Sequence, residues 1–207
     1  MKVLIINGSP HPERSTYTAL HEVEKILNGE NIETVWINVP YDTASCMDCD
    51  YCGSKQGCIM NDIVNETYPL LDECEGLLVG TPVYYGGVNG SLLSYLDRLF
   101  ASYPNKKSLN MKAAAAISNS RRAGNMTSND ALHRFFSISG MTLITSTYWN
   151  DTHGNTPEEV GQDLEGLQTM RNLGRNMAYY LKMRELAKEK GLKEPAIEKG
   201  NHTNFVR

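Results

Sequence analysis

The chain has 207 residues and a formal net charge of −4, with acidic and basic residues mixed along its length. This length suits one domain and buries roughly 70% of the unfolded surface. The charge balance offers none of the positive surface that nucleic acid or an anionic membrane attracts. No apolar run approaches the ~18 residues of a membrane span. We therefore expect neither a nucleic-acid partner nor a membrane partner.

The N-terminus, MKVLIINGSP, lacks the long apolar region and the small-residue cleavage site of a secretory signal peptide. The chain has five cysteines, an odd number, and most of them are clustered. Such usage favours a reducing compartment over a disulfide framework. We expect a cytoplasmic protein.

Apolar runs and amphipathic segments alternate along the chain. Five strands are predicted at residues 2–7, 32–38, 76–80, 112–118 and 141–146. The helices are predicted from Ser15 or Thr16 to Leu27, from Asn61 or Asp62 to Cys74, and over 91–101, 127–138 and 157–190. This alternation predicts an α/β fold with a doubly wound parallel sheet. Ligands of such sheets bind beyond the carboxyl ends of the strands.

Four cysteines lie within thirteen residues after the second predicted strand, namely Cys46, Cys49, Cys52 and Cys58. Their spacing, C-x2-C-x2-C-x5-C, lets a short loop wrap around a compact cluster and place thiols at several of its corners. An iron–sulfur cube requires such a ligand set, so the spacing predicts a single 4Fe-4S cluster. Two alternatives stay open: structural zinc, which usually takes two separated C-x2-C pairs, and free or oxidised thiols.

Two other loops are rich in small and polar residues. Residues 8–16, GSPHPERST, lead into a helix N-terminus, where hydroxyl and unpaired N–H groups favour phosphate. Neither G-x-G-x-x-G nor G-x-x-x-x-G-K-[ST] is present, so a monophosphate fits better than a dinucleotide or a nucleoside triphosphate. Residues 82–87 combine tyrosines with two glycines, which suits a flat heterocycle. A phosphate pocket beside a planar slot predicts flavin mononucleotide, FMN.

The segments GSP-x5-T and TPVYYGGVNGSLLSYLDR resemble the two hallmark segments of the NADPH-dependent FMN reductase family, which has a flavodoxin-like fold. The cysteine motif is similar to the compact cluster motif of the iron–sulfur flavoproteins in that family. The resemblance covers about residues 1–185. It implies a three-layer, five-stranded parallel sheet, with the cysteine loop (40–60) inserted after strand two of an FMN-binding domain (1–190). Residues 191–207 would form a C-terminal tail.

The resemblance also implies roles for individual residues. The FMN phosphate would be held by Ser9, His11, Ser15 and Thr16. The isoalloxazine would be bordered by Pro82, Val83, Tyr84, Tyr85 and Gly86. Its other side would be closed by Ser118, Asn119, Ser120 and Gly124. No catalytic acid or base is expected, and Asp97 and Arg98 are expected to form a structural pair.

The implied function is an FMN-dependent oxidoreductase that passes electrons between the cluster and FMN. Its donor would be reduced ferredoxin or NAD(P)H, and its acceptor a quinone, dioxygen or another small molecule. Because the family forms dimers and tetramers, we expect a homodimer or homotetramer. One alternative is an NAD(P)H-dependent FMN or quinone reductase without a functional cluster. The other is a zinc-stapled flavodoxin-like electron carrier or interaction module.

Overall fold

The computed structural model describes residues 1–54, 57–198, 200, 201 and 203. Its strands are β1 (Lys2–Asn7), β2 (Glu33–Asn38), β3 (Gly76–Tyr84), β4 (Gly87–Val88), β5 (Ala113–Ser120), β6 (Thr142–Leu143) and β7 (Asp151–His153). Its α-helices are α1 (Ser15–Gly29), α2 (Tyr51–Ser54), α3 (Ile63–Glu73), α4 (Gly90–Ser102), α5 (Asn125–Ile138), α6 (Pro157–Gln162) and α7 (Leu164–Glu189). A short 3-10 helix covers Lys106–Leu109.

The central sheet is parallel, with the strand order β2-β1-β3-β5-β6. When the short antiparallel β4 is set aside, this is the flavodoxin-like order 2-1-3-4-5. The strand order reverses between β1 and β3, because the connections from these two strands leave to opposite sides, so a crevice opens at the carboxyl ends of these neighbours. The predicted doubly wound five-stranded parallel sheet is confirmed.

Apolar side chains form one buried cluster on each face of this sheet, which makes three layers. Side chains of α3, α4 and α5 cover one face, and side chains of α1 and α7 cover the other. All eight residues of β5 are buried, which explains why its sequence is a continuous run rather than an alternating one. The layers hold the strand ends, and therefore the loops that follow them, in fixed positions.

The fifth strand is split, whereas the sequence predicted one strand over residues 141–146. β6 pairs with the beginning of β5 and β7 pairs with its end. The Ile144 N–H still donates to the Ala114 carbonyl at 2.8 Å, and the Ser118 N–H then donates to the Asn150 carbonyl at 3.1 Å. The residues between the two pairings leave the sheet. As a result, β7 carries its own loop to the carboxyl edge.

The final helix is divided at Asp163, whereas the sequence predicted one helix over residues 157–190. Asp163 has φ −77° and ψ 76°, and its carboxylate accepts the Gly166 N–H at 2.9 Å, so it begins α7. Asp163 therefore ends α6 and caps its successor. No helix in the described part of the chain is both long and apolar enough to span a bilayer.

Candidate functional site

The carboxyl edge of the sheet encloses a cavity of about 210 Å³. The loops after β1, β5 and β7, the first turn of α1 and the carboxyl-terminal ends of β3 and β5 contribute to it. Its predicted lining residues are Ser9, His11, Ser15, Thr16, Pro82, Val83, Tyr84, Asn119 and Ser120. Arg14, which the sequence offered as added positive charge for a phosphate, and Arg121, which it left open between solvent and phosphate, also line the cavity. Gly154 and Asn155 line it as well, and the sequence did not predict them. The structure therefore brings most of the predicted FMN residues together in one cavity.

Asn7, at the end of β1, shapes the first loop of this cavity. Its side-chain amide donates to the Pro12 carbonyl and to Asn38 Oδ1, each at 3.0 Å. Its Oδ1 accepts the Ser9 N–H at 3.1 Å, and Ser9 Oγ in turn accepts the His11 N–H at 3.1 Å. These bonds fix the loop without a ligand. Sequence reasoning missed Asn7 because it appears only as the polar end of an apolar strand.

The N-terminus of α1 faces the same cavity with unused donors. Arg14 is the N-cap, but its side chain makes no capping hydrogen bond, and the first turn contains no acidic residue. Ser15 and Thr16, at one of which the sequence predicted the helix to begin, both lie inside its first turn. Ser15 Oγ is buried, and no hydrogen-bond partner for it exists within the described chain. An orphaned hydroxyl and free N–H groups at a helix N-terminus fit a phosphate monoester.

Tyr84 and Tyr85 behave differently although they are adjacent. Tyr84 lines the cavity and is partly exposed. Tyr85 points into solvent and, with φ 50°, forms a turn with Gly86 at φ 75°. Positive φ at both positions is typical of a tight hairpin turn, which here joins β3 to β4. Tyr85 and Gly86 thus lie at the rim and do not line the cavity.

Ser118 and Gly124, two further predicted residues, lie behind the cavity wall. Ser118 is fully buried, and its hydroxyl donates to the Asn125 carbonyl at 3.3 Å. Gly124 has φ +97°, and a Cβ there would lie 2.6 Å from Val83 Cγ1 and 2.8 Å from Gly86 Cα. A glycine at this position is therefore what allows the loop after β5 to back the slot.

Hydrogen bonds across the split strand fix the opposite wall. Thr152 Oγ1 donates to Asn119 Oδ1 and Asn119 Nδ2 donates to the Gly154 carbonyl, both at 2.9 Å. The Gly154 N–H donates to the Ser120 carbonyl at 2.9 Å. This network brings Gly154 and Asn155 to the cavity. Sequence reasoning missed them because it placed the fifth strand at 141–146, well before these residues.

A second cavity of about 120 Å³ is lined by all four clustered cysteines, Cys46, Cys49, Cys52 and Cys58. The chain around them turns through left-handed conformations at Asp48 (φ 52°) and Asp50 (φ 57°). Among the residues that the structure describes, no three metal-ligating side chains converge closely enough to hold a metal ion. The thiols thus share a cavity without meeting at one point. Four soft thiolate donors at one cavity fit an iron–sulfur cluster or zinc.

Arg98 of α4 binds the chain on both sides of the cysteine motif. Its guanidinium donates to the Ala44 carbonyl at 3.3 Å and to the Met60 carbonyl at 3.1 Å. It also donates to Asp62 at 2.8 and 2.9 Å and to Cys58 Sγ at 3.5 Å. The expected pair of Asp97 and Arg98 is wrong, because side chains adjacent in a helix diverge. Asp97 is exposed, whereas Arg98 is 1% exposed.

The backbone of Cys58 is held by α3. Its N–H donates to the Tyr68 hydroxyl at 3.0 Å, and its carbonyl accepts from Asn65 Nδ2 at 2.9 Å. The Tyr68 hydroxyl also bonds Ser102 Oγ of α4 at 2.6 Å. Burial raises the pKa of Tyr68 further above neutral pH, and the protonated phenol both donates and accepts in these bonds. Of the four clustered cysteines, Cys58 is therefore the one that these bonds attach to the core.

The fold and the first cavity together define a class of protein. A flavodoxin-like sheet that carries a helix N-terminus with unpaired donors and a tyrosine-bordered slot at its carboxyl edge is typical of a flavin site. The sequence model of the NADPH-dependent FMN reductase family matches residues 1–156, and the chain belongs to that family. It is an FMN-dependent oxidoreductase.

Individual relatives agree with this assignment. An iron-sulfur flavoprotein of Methanocaldococcus jannaschii is 32% identical over 193 residues, which cover 88% of this chain and 98% of the relative. An iron-sulfur flavoprotein of Archaeoglobus fulgidus is 27% identical, and the match covers 87% of this chain and 97% of the relative. The solved structure of RosB with bound 8-demethyl-8-formylriboflavin-5'-phosphate has a TM-score of 0.70 at 17% identity, covering 100% and 94% of the two chains. That last likeness shows a shared fold.

Proposed function

We propose that this FMN-dependent oxidoreductase is an iron–sulfur flavoprotein that passes electrons between a 4Fe-4S cluster and FMN. The observation that carries the proposal is the single cavity lined by Cys46, Cys49, Cys52 and Cys58. The names of the two archaeal relatives support it. When bound, FMN can accept two electrons together and release them one at a time, and a cluster transfers one electron at a time.

The chain's own residues bind and orient these groups. The Ser15 hydroxyl, the free N–H groups of α1 and the Arg14 side chain would hold the FMN phosphate. Val83 and Tyr84 would border the ring on one side. The hydrogen-bond network of Asn119 would hold the loop that closes the other side. No acid or base is required of the protein, and none is assigned.

The proposal includes the reaction partners that the sequence suggested. The donor is reduced ferredoxin or NAD(P)H, and the acceptor is a quinone, dioxygen or another small molecule. Because no dinucleotide fingerprint follows β1, a nicotinamide would bind directly over the flavin. The protein would work as a homodimer or homotetramer.

The decisive measurement is the content of iron, zinc, acid-labile sulfide and FMN per chain in protein purified without oxygen. We expect about four irons and four sulfides beside one FMN. Cys46→Ser should lose the iron and keep the FMN. Cys74→Ala is the matched control, because Cys74 is buried outside the cysteine cavity and should be removable without loss of iron. FMN with stoichiometric zinc, or FMN without iron after attempted reconstitution, would refute the cluster.

A second function is favoured by the description of the matching family model, NADPH-dependent FMN reductase. In this alternative the protein reduces FMN or a quinone with NAD(P)H and needs no cluster. Steady-state turnover separates the two proposals. Unchanged NADPH-driven turnover by iron-free Cys46→Ser would favour the simple reductase, whereas loss of turnover with FMN still bound would favour the iron–sulfur flavoprotein.

A further inference from the structure

We propose that Arg98 is a positioning residue for the cysteine motif, with two effects. It ties together the chain before Cys46 and the chain after Cys58, so that the cavity exists before any cluster enters. Once a cluster is bound, its N–H donor to Cys58 raises the reduction potential of that cluster. The second effect rests on the proposed function, and the first does not.

The first effect follows from which atoms Arg98 bonds. Ala44 precedes the first clustered cysteine and Met60 follows the last, and one guanidinium donates to both carbonyls. α4 is a rigid helix packed in the core, so both ends of the cysteine segment are fixed to a common support. Closing a loop costs conformational entropy. The hydrogen bonds of Arg98 offset this entropy loss in the folded apoprotein. The four thiols therefore already line one cavity before a cluster binds.

Burial of Arg98 makes its charge effective at the cavity. Its side chain is 1% exposed, whereas the side chain of its partner Asp62 is 39% exposed. Solvent therefore screens the negative charge of Asp62 more than the positive charge of Arg98. Nε of Arg98 is buried without a hydrogen-bond partner among the described residues. A buried cation facing four thiols is suited to a site where negative charge accumulates.

The second effect follows from the donor to sulfur. The Nη2 atom of Arg98 lies 3.5 Å from Cys58 Sγ. One electron transferred onto a bound cluster adds one negative charge beside this donor, and no proton or bond change is needed. A hydrogen bond to a ligating sulfur stabilises the more negative state, so it raises the reduction potential. Removal of the donor should therefore make the cluster harder to reduce.

The test uses the full-length protein with Arg98→Lys and Arg98→Met. Lysine keeps the charge but loses the planar fork that reaches several acceptors at once, and methionine loses both. The matched control is Arg175→Met, because Arg175 is exposed on α7, outside the cysteine cavity. All proteins are prepared without oxygen, and a portion of each is stripped of metal with a chelator.

The first readout is amide hydrogen–deuterium exchange of the metal-free proteins. In Arg98→Met we expect exchange at residues 44–54 and 57–60 to accelerate at least tenfold, with β1 unchanged as a reporter of global stability. Arg98→Lys should fall between this variant and the wild type. Unchanged exchange in Arg98→Met would overturn the structural effect. If Arg98→Met does not fold, Arg98→Lys carries the same test.

The second readout is a potentiometric titration of the cluster with dithionite and mediators, followed by electron paramagnetic resonance. In Arg98→Met the ratio of reduced to oxidised cluster at a given potential should fall at least tenfold, a shift of about 59 mV for a one-electron couple. Arg175→Met should not shift. An unshifted potential in both Arg98 variants would overturn the redox effect. Absence of iron from the wild type would instead refute the proposed function, and the exchange measurement would still decide whether Arg98 holds the segment.

Discussion

Asp62 accepts two hydrogen bonds from Arg98, at 2.8 and 2.9 Å, and the Asp62 side chain is also the N-cap of α3. Asp62 Oδ1 accepts the Val64 N–H at 3.1 Å. One carboxylate therefore joins α3 to α4 directly beneath the cysteine cavity. Its two roles are separable by substitution, because an asparagine can still cap a helix but cannot neutralise a guanidinium.

We predict that Asp62→Ala lowers the free energy of unfolding by about 2–3 kcal/mol. Loss of the cap accounts for about 1 kcal/mol. The remainder comes from leaving the Arg98 charge unpaired, reduced from the full cost of a buried pair because Asp62 is partly exposed. Urea unfolding monitored by circular dichroism measures the difference. Asp62→Asn should lose clearly less, and equal losses in both variants would assign the whole effect to the ion pair.

We predict that Ser15→Ala weakens FMN binding about tenfold, or about 1.4 kcal/mol, because it removes one donor to the phosphate. The stability of the FMN-free protein should not fall, since Ser15 Oγ has no hydrogen-bond partner in the described structure. Quenching of FMN fluorescence gives the dissociation constant. Ser139→Ala, in which a hydroxyl that donates to Phe135 near the end of α5 is removed, is the control and should bind FMN normally. Normal FMN binding by Ser15→Ala would show that this hydroxyl does not bind the phosphate.

The parts of the fold that the sequence predicted are those that the hydrophobic pattern determines. β1, β3 and β5 are buried on both faces, so their continuous apolar runs could be recognised as strands from the local sequence alone. The interruption of the fifth strand could not be predicted from the sequence. It depends on which residues of β5 are free to pair with β6 and with β7. The break at Asp163 was missed for a similar reason, since a single capping carboxylate leaves the helical periodicity on both sides intact.

The candidate site divides in the same way. Ser15 and Tyr84 were found because each follows an apolar run that the sequence identifies as a strand. Arg98 bonds Ala44 and Met60, and Asn7 bonds Asn38. These partners are far away in the chain, and no local pattern reveals such contacts. Arg98 was noticed but assigned to its neighbour Asp97, because adjacency in sequence was the only pairing information available.

We predict that Gly124→Ala destabilises the protein by about 1–3 kcal/mol and also weakens FMN binding. The strained φ of +97° and the 2.6 Å approach to Val83 Cγ1 both oppose a Cβ, and the shift needed to accommodate it displaces the slot. Thermal unfolding and FMN titration measure the two effects. Gly161→Ala in α6 is the matched control, since a Cβ there meets nothing within 4 Å and helical alanine is favoured over glycine. A harmless Gly124→Ala would show that the loop after β5 does not support the slot.

The last prediction concerns the pH dependence of stability at β7. Burial raises the pKa of Asp151 above its ordinary value of 3.8. The negative charges of Asp163 and Glu165 also raise it, against the opposing effect of His153. At neutral pH the carboxylate is charged in both states, and the folded protein bears the cost of burying that charge. As the pH falls through the raised pKa towards 3.8, the folded protein binds a proton that the unfolded chain does not yet bind, and the cost is relieved.

Asp151→Asn should therefore raise Tm at pH 7 by about 1–3 °C. Its advantage should shrink as the pH falls and vanish below about 3.8, where Asp151 is protonated in both states. Scanning calorimetry of the variant and the wild type from pH 7 to the acid limit of reversible unfolding measures this. Asp130→Asn, on an exposed position of α5, is the control and should give no comparable gain. A gain for Asp151→Asn that is independent of pH would exclude the charge as its cause and point to packing of the amide instead.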